Sequence, residues 1–305
     1  MRFLKNFMMM QNKKLVTHNG SFHADDIFAC ATLSLLLEHK GESFEIFRTR
    51  DPEIIKNGDY VFDVGGLYDP EINRFDHHQI GGAGKRDNGI EYASIGLVWK
   101  KYGEELCGSK DVANIIDEKI ATPVDAADNG IDIFSLKYKT RPYTIQNFFY
   151  SFYPRWKDQN EENLLSGFLE CVNFAKGILF REIAFAKDLL EAQKAVRMCY
   201  EKMEDKRIIV LDENYPSTDV LQDSPEPLFI VYPRSSDNSW GVKTVRQDFQ
   251  SFRNRKDLPS FWAGLKDKEL QAITGVPDAV FCHRALFLAV AKSKEGAIKL
   301  AQLAL

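Results

Sequence analysis

The amino-acid sequence predicts an α/β protein. The expected architecture is a mostly parallel sheet with helices on both faces, then a smaller C-terminal α/β domain, with an active-site cleft between them. Three observations carry this. Short apolar, β-branched runs alternate with helical apolar patterns through the first 130 residues, as in a parallel sheet. Two of those runs end in His or Asp beside a Gly turn, and open α/β sheets bind ligands at such carboxyl strand ends. After a long helical stretch, two further strand-like runs flank the turn-rich segment PRSSDNS, as in an antiparallel hairpin.

Composition sets outer bounds. A chain of 305 residues is long enough for two domains, and 28% charged with 44% hydrophobic residues is an ordinary globular mix. The formal net charge of −4 argues against a surface that coats nucleic acid generally, while leaving room for a local basic groove. Five scattered Cys without a CxxC pair fit a reducing, cytoplasmic compartment. The opening MRFLKNFMMMQNKK lacks a small-residue cleavage site, so no signal peptide is expected, and no apolar run approaches a membrane span.

In chain order, Lys13–Thr17 reads as a strand ending at His18. Asn19-Gly20-Ser21 is turn chemistry, and from Ala24 an apolar pattern runs to Gly41 as a buried helix. That sequence of elements gathers His18, His23 and Asp25 at one strand end, a metal-binding set, with Asp26 as a first-turn acid facing the helix dipole. Phe44–Phe47 is a second strand, and Asp51-Pro52 starts a short turn or helix. Tyr60–Phe62 is a third strand, and it delivers Asp63 to Gly65-Gly66, repeating the first arrangement. Then comes Asp76-His77-His78, where a carboxylate and two imidazoles without nearby Cys suit Mn²⁺, Mg²⁺ or Fe²⁺ better than a structural zinc. Lys85 and Arg86, in the Gly-rich connector that follows, read as solvated loop cations. Glu91–Tyr102 and Asp111–Ala121 read as helices, followed by Pro123–Gly130, where Asp125 could be a cap and Asp128 is placed for a site. His18, His23, Asp25, Asp63, His77 and Asp128 are then six ligands from separate loops, about the number a binuclear site with one shared carboxylate needs.

The stretches THNGSFHADD, FDVGG, RFDHHQ and TPVDAADNG, in this order, resemble the DHH phosphoesterase superfamily. More closely they resemble the melanocyte proliferating gene protein family, long labelled metal-dependent protein hydrolases. The similarity continues at Ser251-Phe252, Arg255, Leu258-Pro259, Trp262–Leu265, Phe281–His283 and Lys294–Ala297. One departure is Ala285-Leu286, in a position where members of the family usually carry Gly. The resemblance implies one metal on His18, His23 and Asp63, and a second on Asp25, Asp63, His77 and Asp128, with Asp63 bridging. It further implies that Asp76 orients its neighbours, that His78 faces the scissile phosphate, and that Arg255, His283 and Lys294 hold substrate phosphates.

In the second half, Glu161–Met203 is one long helical stretch whose stripe from Leu164 to Leu190 reads as packing. Arg207–Leu211, Leu228–Tyr232, Trp240–Val245 and Ala279–Cys282 read as strands, with helices at Lys266–Ile273 and Lys294–Leu303. The charge run Glu201–Arg207 suggests a metal-binding catalytic domain over 12–200 and a substrate-binding domain over 206–305. What the resemblance implies is a phosphodiester hydrolase using two divalent ions, Mn²⁺ before Mg²⁺. It implies a 3′–5′ exonuclease on RNA or short oligonucleotides, with no membrane partner and room for a homodimer. For base stacking, Phe22, Tyr68, Phe252 and Trp262 are on offer. The competing readings are a small-molecule phosphatase or pyrophosphatase on the same metals, and a non-catalytic, metal-stabilised binding protein.

Overall fold

The strand expected at Lys13–Thr17 (β1) forms, and it runs parallel to Phe44–Arg48 (β2) on one side and Tyr60–Phe62 (β3) on the other. The structure, a computed structural model, describes residues 12–216, 219–248 and 253–305. The opening segment 1–11 and the Ser251-Phe252 pair lie outside the described residues, so the readings placed on them gain nothing from it. The chain divides into two units, Met1–Ala186 and Lys187–Leu305.

In the first unit the sheet order is β2-β1-β3-β5-β4, completed by Tyr68–Asp69 (β4) and Arg74–Phe75 (β5). Strand β5 is parallel to β3, and only β4 runs antiparallel. Two residues apiece give β4 and β5 too little alternation to stand out in the sequence. Leu15, Val16, Val61, Phe62 and Phe75 are fully buried, so the sheet is the centre of this unit's core. Helix α1 (Ala24–His39) has every residue from Ala24 to Leu37 buried, which is why its sequence reads as a continuous apolar run without a polar face. Asp51 caps α2 (Pro52–Lys56), accepting from the Glu53 amide at 2.8 Å.

Helix α3 (Ser94–Cys107) begins three residues later than expected, because its caps come from elsewhere in the chain. Its N-cap, Ala93, has no capping side chain. Instead Asp25 accepts from the Ser94 and Ile95 amides (3.0 and 2.7 Å), and Asp125 accepts from those of Ala93 and Gly96 (3.0 and 3.1 Å). A Cβ at position 96 would lie 2.1 Å from an Asp125 oxygen, so only Gly admits this carboxylate. Asp125 is therefore a cap, as its sequence position allowed, and the helix it caps is α3.

Helix α4 (Lys110–Ile116) continues through a π-helical turn (Asp117–Ala121) into α5 (Thr122–Asp128), where the sequence suggested a loop. The wider turn admits Pro123, which supplies no amide hydrogen and crowds the preceding turn of an ordinary helix. After α6 (Ile145–Tyr150) comes α7 (Glu161–Lys202), and the unit boundary falls within it. Its expected stripe from Leu164 to Ala186 is buried, and Leu190 is half-buried.

The second unit has its own five-stranded sheet. Ile208–Val210 (β6) runs parallel to Phe229–Arg234 (β7), which forms the expected hairpin with Ser239–Thr244 (β8). Asn238 takes the left-handed conformation in the turn (φ 52°). After α8 (Asp267–Thr274), Ala279–Cys282 (β9) pairs antiparallel with Leu288–Ala291 (β10), which pairs with β8. Strand β10, LAVA, is too short and Ala-rich to announce itself. Phe229, Val231 and Val242 pack with Leu270 of α8 and Leu300 of α9 (Lys294–Leu303), while the alternate residue Ile230 packs with Ile209 and with Val196 of α7. The molecule is thus a mixed α/β protein whose first sheet is mostly parallel, as the sequence predicts. Among the described residues, no helix is long and apolar enough to cross a membrane.

Candidate metal centre

Strands β1, β3 and β5 are parallel neighbours, so their carboxyl ends share one edge of the sheet. His18 follows β1, Asp63 follows β3 and Asp76-His77-His78 follows β5. The start of α1 adds His23 and Asp25, and the last residue of α5 is Asp128. One ligand atom from each of His18, His23 and Asp63 lies within 4.8 Å of the others, and the same holds for Asp63, His77 and His78 and for Asp25, His77 and Asp128. All six residues expected as ligands are therefore brought together.

Asp63 stands at the junction. Its Oδ2 is 3.1 Å from His18 Nε2, and its Oδ1 is 3.5 Å from both His77 Nε2 and His78 Nδ1. Its backbone is left-handed (φ 55°), a conformation Asp tolerates better than most residues. The Asp63 amide donates to the Phe75 carbonyl at 3.2 Å, tying the end of β3 to the end of β5. His18 Nδ1 lies 3.1 Å from the Asn19 carbonyl, which fixes the ring with Nε2 facing Asp63. His77 Nε2 also lies 3.2 Å from Asp128 Oδ2.

The donor set fits divalent cations. Asp63 Oδ1, His77 Nε2 and Asp26 Oδ2 are buried without a hydrogen-bond partner. Asp25, Asp26, Asp63 and Asp76 are all buried, and Asp128 joins the cluster through His77, a gathering of carboxylates and imidazoles that a divalent cation suits. Burial, then the charges of Asp63 and Asp128, push the Asp25 carboxyl well above the usual range. Burial also opposes charge on His77, but Asp128 and Asp63 outweigh it and lift the imidazole to about 11. Asp63 is held low: burial alone would raise it, and its contacts with His18 and His77 overcome that.

His77 and His78 divide by exposure, with 8% and 63% of the side chain accessible. Asp76 Oδ1 accepts from the His78 amide (3.1 Å) and lies 2.8 Å from His78 Nδ1, while Oδ2 accepts from the Gly66 amide (2.5 Å). A buried carboxylate thereby fixes the ring of an exposed imidazole. Asp26, expected only as a first-turn acid, accepts from the His23 amide (2.7 Å) and lies 3.4 Å from His18 Nε2, so it also backs a candidate ligand.

A cavity of about 580 Å³ opens over the cluster, lined by His18, His23, Asp25, Asp63, Asp76, His78 and Asp128 together with Arg50, Gln146 and Tyr150. The last three were not singled out from the sequence. Arg50 donates to the Asn19 carbonyl (2.5 Å) and to Asn19 Oδ1 (2.9 Å), which holds a cation at the rim. Gln146 accepts from the Ala24 amide (2.7 Å), and the Tyr153 hydroxyl donates to the Phe22 carbonyl, so both anchor the turn carrying His18 and His23. Nothing in the local sequence marks Arg50 beyond its place after β2.

Two expectations need correction. Arg86 is not a solvated cation: its side chain is 8% exposed, and it donates to Asp125 (2.7 Å) and to Asp117 in the π-helical turn. Lys85 does remain exposed, paired with Glu91 at 2.9 Å. In the second unit, Arg255 does not stand open to a phosphate. Its guanidinium donates to the carbonyls of Gln222 (2.9 Å), Ser224 (2.5 Å) and Pro227 (3.2 Å), which ties down the loop before β7. His283 accepts from the Ala285 amide (3.0 Å) and lies tilted against Phe287 (4.4 Å between centroids), and Lys294 lies over the Trp240 ring (5.3 Å). Leu286 adopts the left-handed conformation, φ 59°. Of the stacking candidates, Phe22 and Trp262 are buried core residues and so present no face to a base.

Fold and site together define an α/β protein with clustered His and Asp able to hold metal at the carboxyl edge of a parallel sheet. The chain belongs to the uncharacterised protein family UPF0160, whose MYG1 exonuclease sequence model matches residues 14–305. This is the melanocyte proliferating gene family that the motifs indicated. The chain is 29% identical to the MYG1 protein of Schizosaccharomyces pombe, covering 96% of this chain and 97% of that one. It is 30% identical to a MYG1 protein of Caenorhabditis elegans (95% and 94% covered) and 29% identical to the MYG1 exonuclease of Homo sapiens (96% and 86% covered). Among solved structures, an exopolyphosphatase-related protein from Bacteroides fragilis aligns over 96% of this chain and 91% of its own at 10% identity and a TM-score of 0.25, too slight a likeness to build on.

Proposed function

We propose that this chain is a divalent-metal-dependent phosphodiesterase of the DHH type that removes nucleotides from RNA or short oligonucleotides in the 3′–5′ direction. The observation that carries this reading is Asp63, which presents one oxygen to His18 and the other to His77, beside an exposed His78 whose ring Asp76 orients. The relatives named exonucleases support the reaction class.

In this reading His18, His23 and Asp63 hold one ion, and Asp25, Asp63, His77 and Asp128 hold the other. Two ions so held, Mn²⁺ or Mg²⁺, supply Lewis acidity and a water acidic enough to act near neutral pH. His78 donates from the exposed edge of its ring to a non-bridging phosphate oxygen, and Asp76 aims the ring and favours its charged form. Arg50 adds a second cation to the same rim. His283 and Lys294 are proposed phosphate contacts in the second unit, and Arg255 supports that region by holding its loop.

The test is a substrate panel on the full chain: RNA and single-stranded DNA blocked at either end, and pyrophosphate, each with Mn²⁺, Mg²⁺ or chelator. The reading expects metal-dependent release of mononucleotides from the 3′ end. Cleavage of pyrophosphate alone would assign the small-molecule activity, and no turnover on any phosphate would leave a binding protein. Arg50→Ala should lower kcat/KM roughly tenfold at full metal occupancy, with less loss at high salt. Wild-type kcat/KM in that variant would remove Arg50 from the site.

A further inference from the structure

Between α5 and α6, every residue from 131 to 143 is exposed. Yet this run carries Ile131, Ile133, Phe134, Leu136, Tyr138 and Tyr143, and exposed apolar groups gathered in one place mark an interaction site. Tyr138 and Tyr143 have 82% and 72% of their surface accessible. Cations alternate with these rings, in Lys137-Tyr138-Lys139 and Arg141-Pro142-Tyr143. We infer that this segment is the track for a single strand of nucleic acid, with bases on Tyr138 and Tyr143 and phosphates on Lys137, Lys139 and Arg141. The inference rests on the reading of the metal centre as one that acts on nucleic acid, and adds where the rest of the strand lies.

The segment is tied at both ends to the wall of the metal cavity. It leaves α5 just after Asp128, where the Ile131 amide donates to the Ala126 carbonyl (2.7 Å). It ends at Thr144, whose hydroxyl oxygen accepts from the Asn147 amide (3.4 Å), and α6 then gives Gln146 and Tyr150 to that cavity. Among the described residues, Lys137, Lys139 and Arg141 have no ion-pair or hydrogen-bond partner, and the Tyr138 ring has no ring or cation contact. Asp132 is the one acid in the run, so the segment is positive in a chain of net charge −4. Tyr143 donates from its hydroxyl to the Asn147 carbonyl (3.0 Å), which anchors the ring at its edge. With Phe134 and Arg141 it lines a cavity of about 420 Å³ that no acidic residue borders. Rings interleaved with cations match a strand that alternates bases with phosphates. A protein partner fits less well, because protein interfaces are depleted in Lys.

The experiment measures binding without hydrolysis. A fluorescein-labelled decauridylate containing 4-thiouridine is titrated into the full chain in chelator, then irradiated, and the crosslinked peptide is identified. The wild type should bind and should crosslink within 131–143. Tyr138→Ala and Tyr143→Ala should each weaken binding roughly tenfold, while Tyr143→Phe, which keeps the ring, should stay close to the wild type. Lys137→Ser, Lys139→Ser and Arg141→Ser together should weaken binding and flatten the slope of log K against log salt by up to about 2, at roughly 0.7 per phosphate contact. Should Tyr143→Ala disturb the start of α6, the exposed Tyr138 position still reads the track. The inference is overturned if the wild type binds no oligonucleotide in chelator, which would leave the run to a protein partner. It is equally overturned if the crosslink falls outside 131–143, or if both ring variants bind like the wild type. Activity is scored separately, as mononucleotide release with Mn²⁺. A chain that cleaves nothing yet crosslinks within 131–143 keeps the track and loses the proposed reaction; one that releases mononucleotides but crosslinks elsewhere does the reverse.

Discussion

Asp63→Asn is expected to lower turnover roughly 1000-fold or more, because it removes the one carboxylate that faces both ligand groups. Asn is the informative replacement. It has nearly the same shape and also tolerates the left-handed backbone at φ 55°, so the fold should survive and the lost charge is what is tested. His23→Ala removes a ligand from a single group and should cost much less. Metal content measured alongside kcat separates the two: Asp63→Asn should lose both ions together, and His23→Ala at most one. Equal residual rates with unchanged metal in both variants would remove Asp63 from the bridge.

The second large effect concerns stability. Arg86→Met should destabilise the chain by about 3–5 kcal/mol, the range for removing one partner from a buried ion pair. Asp125 would keep its two amide donors from α3 but lose its cation while fully buried. Asp117 would lose the same partner. Urea denaturation should show the midpoint falling at constant slope, and Arg86→Met with Asp125→Asn should cost less than the two changes summed. A loss below about 1 kcal/mol would mean that Arg86 is in effect a surface residue, as its sequence context suggests.

That contrast shows what the sequence discloses. His18, Asp63 and His77 could be picked out because imidazoles and carboxylates directly after apolar strands are chemically conspicuous, and a parallel sheet brings such positions to one edge. Arg86 could not, since IGGAGKRDNG looks like any solvated Gly-rich loop and its two acids lie about 30–40 residues further along. The start of α3 was hidden for the same reason: Ala93 is a poor cap, and the carboxylates that serve it come from α1 and α5. Strands β4, β5 and β10 are too short for periodicity, while the hairpin of β7 and β8 was legible from its turn. In the second unit, the family resemblance implied Arg255 as a phosphate contact, but a guanidinium spent on backbone carbonyls looks identical in sequence to one held out for a ligand.

The π-helical turn at Asp117–Ala121 sets the phase of everything after it. Each residue of a regular helix advances the side-chain direction by about 100°. Deleting one residue from the turn would restore an ordinary helix and swing Asp128 away from His77 by about that angle, while moving Asp125 off Gly96 and Arg86. The extra residue therefore works as a spacer in a gear train, meshing one helix with a capping contact and a candidate ligand position at once. Length in this segment is consequently far less free than its surface position would allow, and a single-residue insertion or deletion here should be less tolerated than most substitutions.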